Sequence, residues 1–198
     1  MKHFASKKQS GHLGRSNATY AAMLKHLDDA VGAIRATLEK TGLAENTILI
    51  FTSDNGGVTY TEPAATTNLP FKGGKAMLYE GGVRVPTIVC QPGRFEGGKW
   101  SDAVIDCTDF LPTVADLTGN QAPNGIDGQS FLPLLKDPAS PGPERTLIWH
   151  YPFNVIVKHP DHGQPLSPHS AIRVGNPLFP FPDRLPSVFS ALGEKAIS

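Results

Sequence analysis

Apolar positions near the start of the chain fall on one stripe: Tyr20, Leu24, Leu27, Val31, Ile34 and Leu38 step by four, three, four, three and four residues. That spacing places them on one face of an α-helix. Ser16 or Asn17 can cap its start by accepting a bond from a free first-turn amide. Gly42, followed by apolar Leu43, predicts the stop. His26 falls off the stripe, which predicts an exposed side chain. The period then changes. Thr47-Ile-Leu-Ile-Phe-Thr52 is a short β-branched and apolar run without polar alternation, and it predicts a buried strand. A helix followed at once by a buried strand predicts an α/β layer with a parallel sheet.

Ser53-Asp-Asn-Gly-Gly57 ends that strand in turn chemistry, and residues 58–82 carry no clear period. Val83 to Val89 is a second strand candidate, interrupted by Pro86. Asp109 to Gly119 predicts a short helix, with Asp109 as cap, Pro112 in the first turn and Gly119 as stop. Pro123 to Gly128 is a turn cluster, and Ser130 to Leu135 is a short apolar stretch. Pro138, Pro141 and Pro143 mark a subdomain boundary. Leu147 to Tyr151 and Ser170 to Val174 are further strand candidates.

Composition narrows the function classes. Lys+Arg 18 equals Asp+Glu 18, so nothing in the bulk charge points to nucleic acid or to a membrane surface. Hydrophobic residues at 39% suffice for a core. No apolar run approaches the about 20 residues of a membrane helix. Four of the 18 prolines fall in residues 1–100, so regular elements concentrate in that half and turns in the other. Two cysteines, Cys90 and Cys107, exclude a disulfide scaffold and an all-cysteine zinc site.

Asp54-Asn55 follows a predicted strand, at the sheet edge where open α/β sheets bind ligands. A carboxylate beside an amide carbonyl offers two hard oxygens suited to Ca2+ or Mg2+, although the same residues also make ordinary turns. Gly73-Gly-Lys75 can deliver a point charge to an anion, or can be a flexible loop with a solvated lysine. It is not a nucleotide-phosphate loop, because Ala76 follows the lysine and Leu69 stands where that loop needs glycine.

Taken together and in order, Phe51-Thr-Ser-Asp-Asn-Gly-Gly57, Phe71-Lys-Gly-Gly-Lys75 and Tyr79-Glu-Gly-Gly-Val-Arg-Val-Pro86 resemble the sulfatase family of arylsulfatase type. So do Tyr20-Ala-Ala-Met, Leu27-Asp-Asp-Ala-Val-Gly32, Asp109-Phe-Leu-Pro-Thr113 and Gly125-Ile-Asp-Gly-Gln-Ser130. The resemblance runs from about Asn17 to Gly175. It implies an α/β fold: a partial alkaline-phosphatase-like sheet with flanking helices, plus the start of a small C-terminal subdomain. It also implies hydrolysis of a sulfate ester. Asp54 and Asn55 match two family ligands to a divalent cation, usually Ca2+ with Mg2+ as the alternative, and Lys75 matches the lysine that contacts sulfate. Glu80 and Arg84 read as a structural pair. A metal-dependent phosphoesterase of the same superfamily is the competing reading, and a non-catalytic remnant is a third. Family members are mostly exported to the periplasm, outside the cell or to lysosomes.

The family nucleophile is a formylglycine made from the cysteine of Cys-x-Pro-x-Arg. Cys90-Gln-Pro-Gly-Arg94 fits that bare pattern, but it follows the Asp-Asn pair instead of preceding it, and its continuation differs. Cys90 therefore reads as a small buried hydrophobe, which leaves no nucleophile and predicts an inactive chain. His150, in Trp149-His-Tyr-Pro152, resembles a family segment near the substrate. His159 and His162 read as solvated loop residues. The organisation expected is a polar lead-in over 1–16, the C-terminal part of the α/β domain over 17–143, the start of the C-terminal subdomain over 144–176, and an atypical tail over 177–198. Pro177, Pro180 and Pro182 exclude the central strand that the family has there, as a frameshift or truncation near Asn176 would produce.

Overall fold

The computed structural model describes residues 17–60, 66–152, 169–175 and 189–190. The lead-in with Ser16, the His159 and His162 segment, and the tail apart from Phe189–Ser190 lie outside them. Helix α1 spans Ala18–Lys40. Asn17 caps it: its backbone is extended and its Oδ1 accepts from Tyr20 N at 2.9 Å. At the other end Gly42 takes a left-handed φ of 71°, Leu43 N donates to Leu38 O at 2.9 Å, and Gly42 N donates to Glu39 O at 3.1 Å. These two bonds satisfy carbonyls that the helix end leaves open, and only glycine enters that conformation without strain. His26 is exposed, as its position off the stripe predicts.

The stripe itself is not buried. Leu24, Leu27 and Ile34 are 49%, 49% and 51% exposed, and Ala22 is the one buried residue of the helix. Periodicity is a local property, whereas burial needs a facing layer, and among the described residues none covers this face.

Strand β1 (Leu49–Thr52) pairs antiparallel with β2 (Thr87–Cys90), in the register Leu49 with Cys90 and Thr52 with Thr87. This corrects the parallel arrangement expected from helix-then-strand order. The chain leaves β1 and re-enters β2 at the same end of the pair, and such a return makes neighbours antiparallel. The predicted strand from Val83 to Val89 divides at Pro86: Glu80–Val83 is a single helical turn, α2, and the strand begins only at Thr87. Proline lacks the N–H that a ladder needs.

Helix α3 spans Phe110–Thr118 and ends at Gly119 with φ 72°. A 3-10 turn, Cys107–Asp109, precedes it, and Asp106 caps that turn. Asp109 is therefore not the side-chain cap that the sequence predicts; its carboxylate is used elsewhere. The apolar stretch after Ser130 forms helix α4 (Leu132–Lys136). The Phe110 and Phe131 rings meet edge-on at 5.7 Å between centroids. Thr113, fully buried, donates to Asp109 O at 2.7 Å and accepts from Phe131 N at 2.9 Å, so its hydroxyl satisfies two elements at once.

Strands β3 (Thr146–Tyr151) and β4 (His169–Val174) pair antiparallel along their full length. Strand β5 (Phe189–Ser190) adds to β4, so these two residues of the atypical tail join a sheet. No helix among the described residues is long and apolar enough to cross a membrane.

Candidate functional site

The segment that follows β1 bends sharply at Asp54 and Asn55, where Ser53 Oγ donates to Asn55 O at 2.9 Å. The next residues are held by main-chain bonds to distant loops. Gly56 N donates to Gly82 O at 2.9 Å, and Lys75 N donates to Gly57 O at 3.1 Å. Gly81 N donates to Lys72 O at 2.8 Å, so the α2 turn also grips the loop that carries Lys75.

Glycine is required here for space. A Cβ on Gly56 would stand 1.7 Å from Gly81 O, and one on Gly82 would stand 2.0 Å from Met77 O and 2.5 Å from Gly74 O. These are backbone atoms, which cannot swing aside as a side chain can. The glycines that read as loose turns in the sequence are instead where three backbones pack against one another.

That packing brings Asp54-Asn55 and Lys75 into one loop cluster. Asp54 and Lys75 are exposed and Asn55 is half-buried. No described side chain pairs with the Asp54 carboxylate, the Asn55 carboxamide or the Lys75 ammonium. The neighbouring cations are engaged: Lys72 Nζ lies 4.2 Å from the Tyr79 ring centroid, and the Arg84 guanidinium lies 4.7 Å from that of Phe71. Ala76, next to Lys75, takes φ 70°, a left-handed conformation that costs a non-glycine residue energy and is concentrated at functional sites.

Two hard oxygens on adjacent residues fit part of the shell of a divalent cation, since Ca2+ takes six to eight and Mg2+ six. Among the described residues no group of three or more His, Cys, Asp or Glu assembles. The donor chemistry thus fits such an ion, although Asp54 and Asn55 would make up only part of its shell.

Glu80, 5% exposed, is the buried acid of the cluster. Arg84 Nη1 reaches it at 3.5 Å from a side chain that is 43% exposed. Arg173 Nη1 reaches it at 2.6 Å from β4, and is itself buried. The pair read from the sequence is therefore the weaker of two. His150 lies elsewhere. On β3 it shares the exposed face with Ile148, its Nδ1 is 2.7 Å from Ser170 Oγ, and the opposite face of the hairpin carries Arg173 to Glu80.

Cys90 is exposed, which corrects its reading as a buried hydrophobe. It shares a face of β2 with Ile88, 59% exposed, and no described element covers that face. Cys107 is also free. Burial, then the Asp106 carboxylate beside it, push its thiol pKa up. Burial alone would raise Asp106, but hydrogen bonds from Thr108 and Cys107 and the field of Arg145 outweigh it and hold that carboxyl below its usual value.

Sequence reasoning missed Asn68, Arg145 and Arg173. Asn68 falls in the aperiodic stretch, two residues before Pro70. The two arginines sit on ordinary strand or loop positions, where nothing local distinguishes a buried arginine from a solvated one.

Comparison with known proteins bears on the family and the fold. The family described as Sulfatase matches residues 2–120, and the C-terminal region of N-sulphoglucosamine sulphohydrolase matches residues 73–170. Steryl-sulfatase of Rattus norvegicus is 35% identical over 156 residues, covering 75% of this chain and 26% of that protein. BT4656, solved in complex with its substrate D-Glucosamine-2-N, 6-O-disulfate, is 26% identical with a TM-score of 0.61, covering 79% of this chain and 29% of that one. Ps i-CgsB, solved in complex with k-i-k-neocarrahexaose, is 26% identical with a TM-score of 0.65, covering 88% and 36%. The fold is part of an α/β architecture of alkaline-phosphatase-like type. Within it, the chain belongs to the sulfatase family. It spans about a quarter of the length of the curated relatives it matches.

Proposed function

We propose that this chain is the part of a sulfuric ester hydrolase that holds the sulfate group and part of a divalent-cation shell. Lys75 receives the sulfate, Asp54 and Asn55 supply two oxygens to the cation, and the substrate is a sulfate ester. The observation that carries this reading is the Lys75 N to Gly57 O bond of 3.1 Å, which ties the lysine loop to the loop after Asp54-Asn55. Family membership supports it, as does the absence of a side-chain partner for any of the three among the described residues. The substrate recorded for BT4656 supports a sulfate ester as ligand.

A divalent cation, when bound, would polarise the sulfate as a Lewis acid. Lys75 would hold the negative charge that grows on the sulfate oxygens, its loop fixed beforehand by main-chain bonds, so little reorganisation is needed at that moment. Neither Asp54 nor Lys75 is placed to attack sulfur covalently in this reading. The residues that match the family nucleophile are not found in this sequence, and Cys90 follows the Asp-Asn pair, so the chain alone is proposed to be inactive.

The test is a backbone NMR titration of the 198-residue chain with CaCl2 and, separately, with Na2SO4. Calcium should move the Asp54 and Asn55 amides with an affinity of about 1 mM, the weak range expected of an incomplete shell. Sulfate should move Lys75. Asp54→Asn and Lys75→Ala should each remove their own response. Shifts confined to other regions, or no shifts at all, would overturn the proposal.

A further inference from the structure

Asn68 belongs to no motif singled out above, yet its carboxamide touches both loops of the proposed site. Its Oδ1 accepts from Gly57 N at 3.0 Å. Its Nδ2 donates to Gly57 O at 3.0 Å and to Gly73 O at 3.0 Å. The side-chain amide thus pairs with both polar groups of one residue, as a peptide group of a neighbouring strand would, and spends its second N–H on another loop. Both amide protons and one oxygen lone pair are used. Asn55 lies two residues before Gly57, and Lys75 lies two residues after Gly73.

The glycine backbones around the carboxamide are closely packed. Gly57 O already accepts from Lys75 N at 3.1 Å, so the lysine loop and Asn68 share one acceptor. A Cβ on Gly74 would lie 3.0 Å from Asn68 Nδ2 and 2.6 Å from Gly57 O. Asn68 also holds its own loop, since its carbonyl accepts from Phe71 N at 2.9 Å. No other residue type reproduces the set. Aspartate keeps the acceptor for Gly57 N but presents an oxygen to two carbonyls, glutamine displaces the same amide by a methylene, and alanine removes all three bonds and leaves Gly57 O with Lys75 N alone.

We infer that Asn68 is a positioning residue that locks the Asp54-Asn55 loop to the Lys75 loop, so that occupation of the cation ligands is felt at the sulfate-binding lysine. This deepens the proposed function and rests on it for the identity of the ligands. The lock itself rests only on the three hydrogen bonds. In a protein without it, the two loops would keep their glycine packing and the Lys75 N to Gly57 O bond but would lose the side-chain crosslink.

The experiment compares the full chain with Asn68→Ala and Asn68→Asp by two readouts. The first is amide hydrogen exchange without ligand. Gly57 and Lys75 should exchange at least about tenfold faster in both variants, while the amides of α1 from Leu27 to Leu38 keep their rates and show that the fold persists. The second is NMR titration with CaCl2 alone. In the unaltered chain, calcium should shift Gly73 to Lys75 together with Asp54 and Asn55; in the variants the response should stop at residues 54–57, a separation that a loss of general stability would not produce. Unchanged exchange at Gly57 and Lys75 would overturn the inference, as would shifts that still reach Lys75 in Asn68→Ala. If calcium moves neither Asp54 nor Asn55 in the unaltered chain, the functional reading falls, and the exchange comparison still decides for or against the lock.

Discussion

Arg173 Nη1 donates to Glu80 Oε1 across 2.6 Å, joining β4 to the glycine turn 93 positions earlier in the chain. Both partners are buried. The bond attaches the β3–β4 hairpin to the turn whose glycines hold the Lys75 and Asp54 loops, and it makes Glu80 a structural acid facing two arginines.

Removing either arginine should have unequal effects. Arg173→Ala leaves a buried carboxylate with its nearer partner gone and should cost about 3–5 kcal/mol. Arg84→Ala removes a half-exposed partner at 3.5 Å and should cost about 0–1 kcal/mol. Urea unfolding followed by tryptophan fluorescence compares them, and equal losses would show that the nearer, buried Arg173 supports the turn no more than Arg84 does.

The second buried pair predicts a similar loss at a different place. Asp109 is fully buried and accepts from Asp106 N and Gln129 N, each at 2.8 Å, and from both terminal nitrogens of Arg145. That bonding raises the pKa of Arg145. Arg145→Ala should destabilise by about 3–5 kcal/mol, because the remaining carboxylate keeps its desolvation without its counter-charge. A denaturation midpoint within error of the unaltered chain would refute the assignment.

The depressed Asp106 carboxyl gives stability a pH dependence. Its contribution is complete above the unfolded value of about 3.9 and is lost as pH falls through its lower folded value. Thermal unfolding between pH 6 and pH 2 should therefore show a smaller drop in Asp106→Asn than in the unaltered chain, with the difference confined to the acid end.

The two thiols should differ in reactivity. Burial and the Asp106 carboxylate disfavour the Cys107 thiolate, so iodoacetamide at pH 8 should modify Cys107 more slowly in the unaltered chain than in Asp106→Asn. Peptide mass spectrometry resolves Cys107 from Cys90. On an aryl sulfate, the chain should give no turnover; turnover that vanishes in Cys90→Ala would make Cys90 the nucleophile after all.

The glycine packing is testable against a control. Gly82→Ala places a Cβ 2.0 Å from Met77 O and should destabilise by about 1–3 kcal/mol while displacing the Lys75 loop. Gly97→Ala meets nothing within 4 Å and should stay within about 0.5 kcal/mol of the unaltered chain. Equal midpoints for the two variants would show that the loop relaxes freely.

What the amino-acid sequence determines by itself is whatever depends on near neighbours. The Asn17 cap, the Gly42 and Gly119 stops, the α1 period and the β3 and β4 runs were all legible, because each is settled within a few residues. So was the family, since its motifs are spaced short runs. The tertiary structure alone decided which groups meet. It turned Asp109 from a cap into the acceptor for Arg145 and made Arg173 the nearer partner of Glu80. It set Asn68 between two loops, left half of the α1 stripe and Cys90 exposed, and reversed β2 against β1. Those outcomes depend on which positions meet in space, from 5 to 93 residues apart along the chain, and such hydrogen-bond partners and burial have no period for a sequence to display.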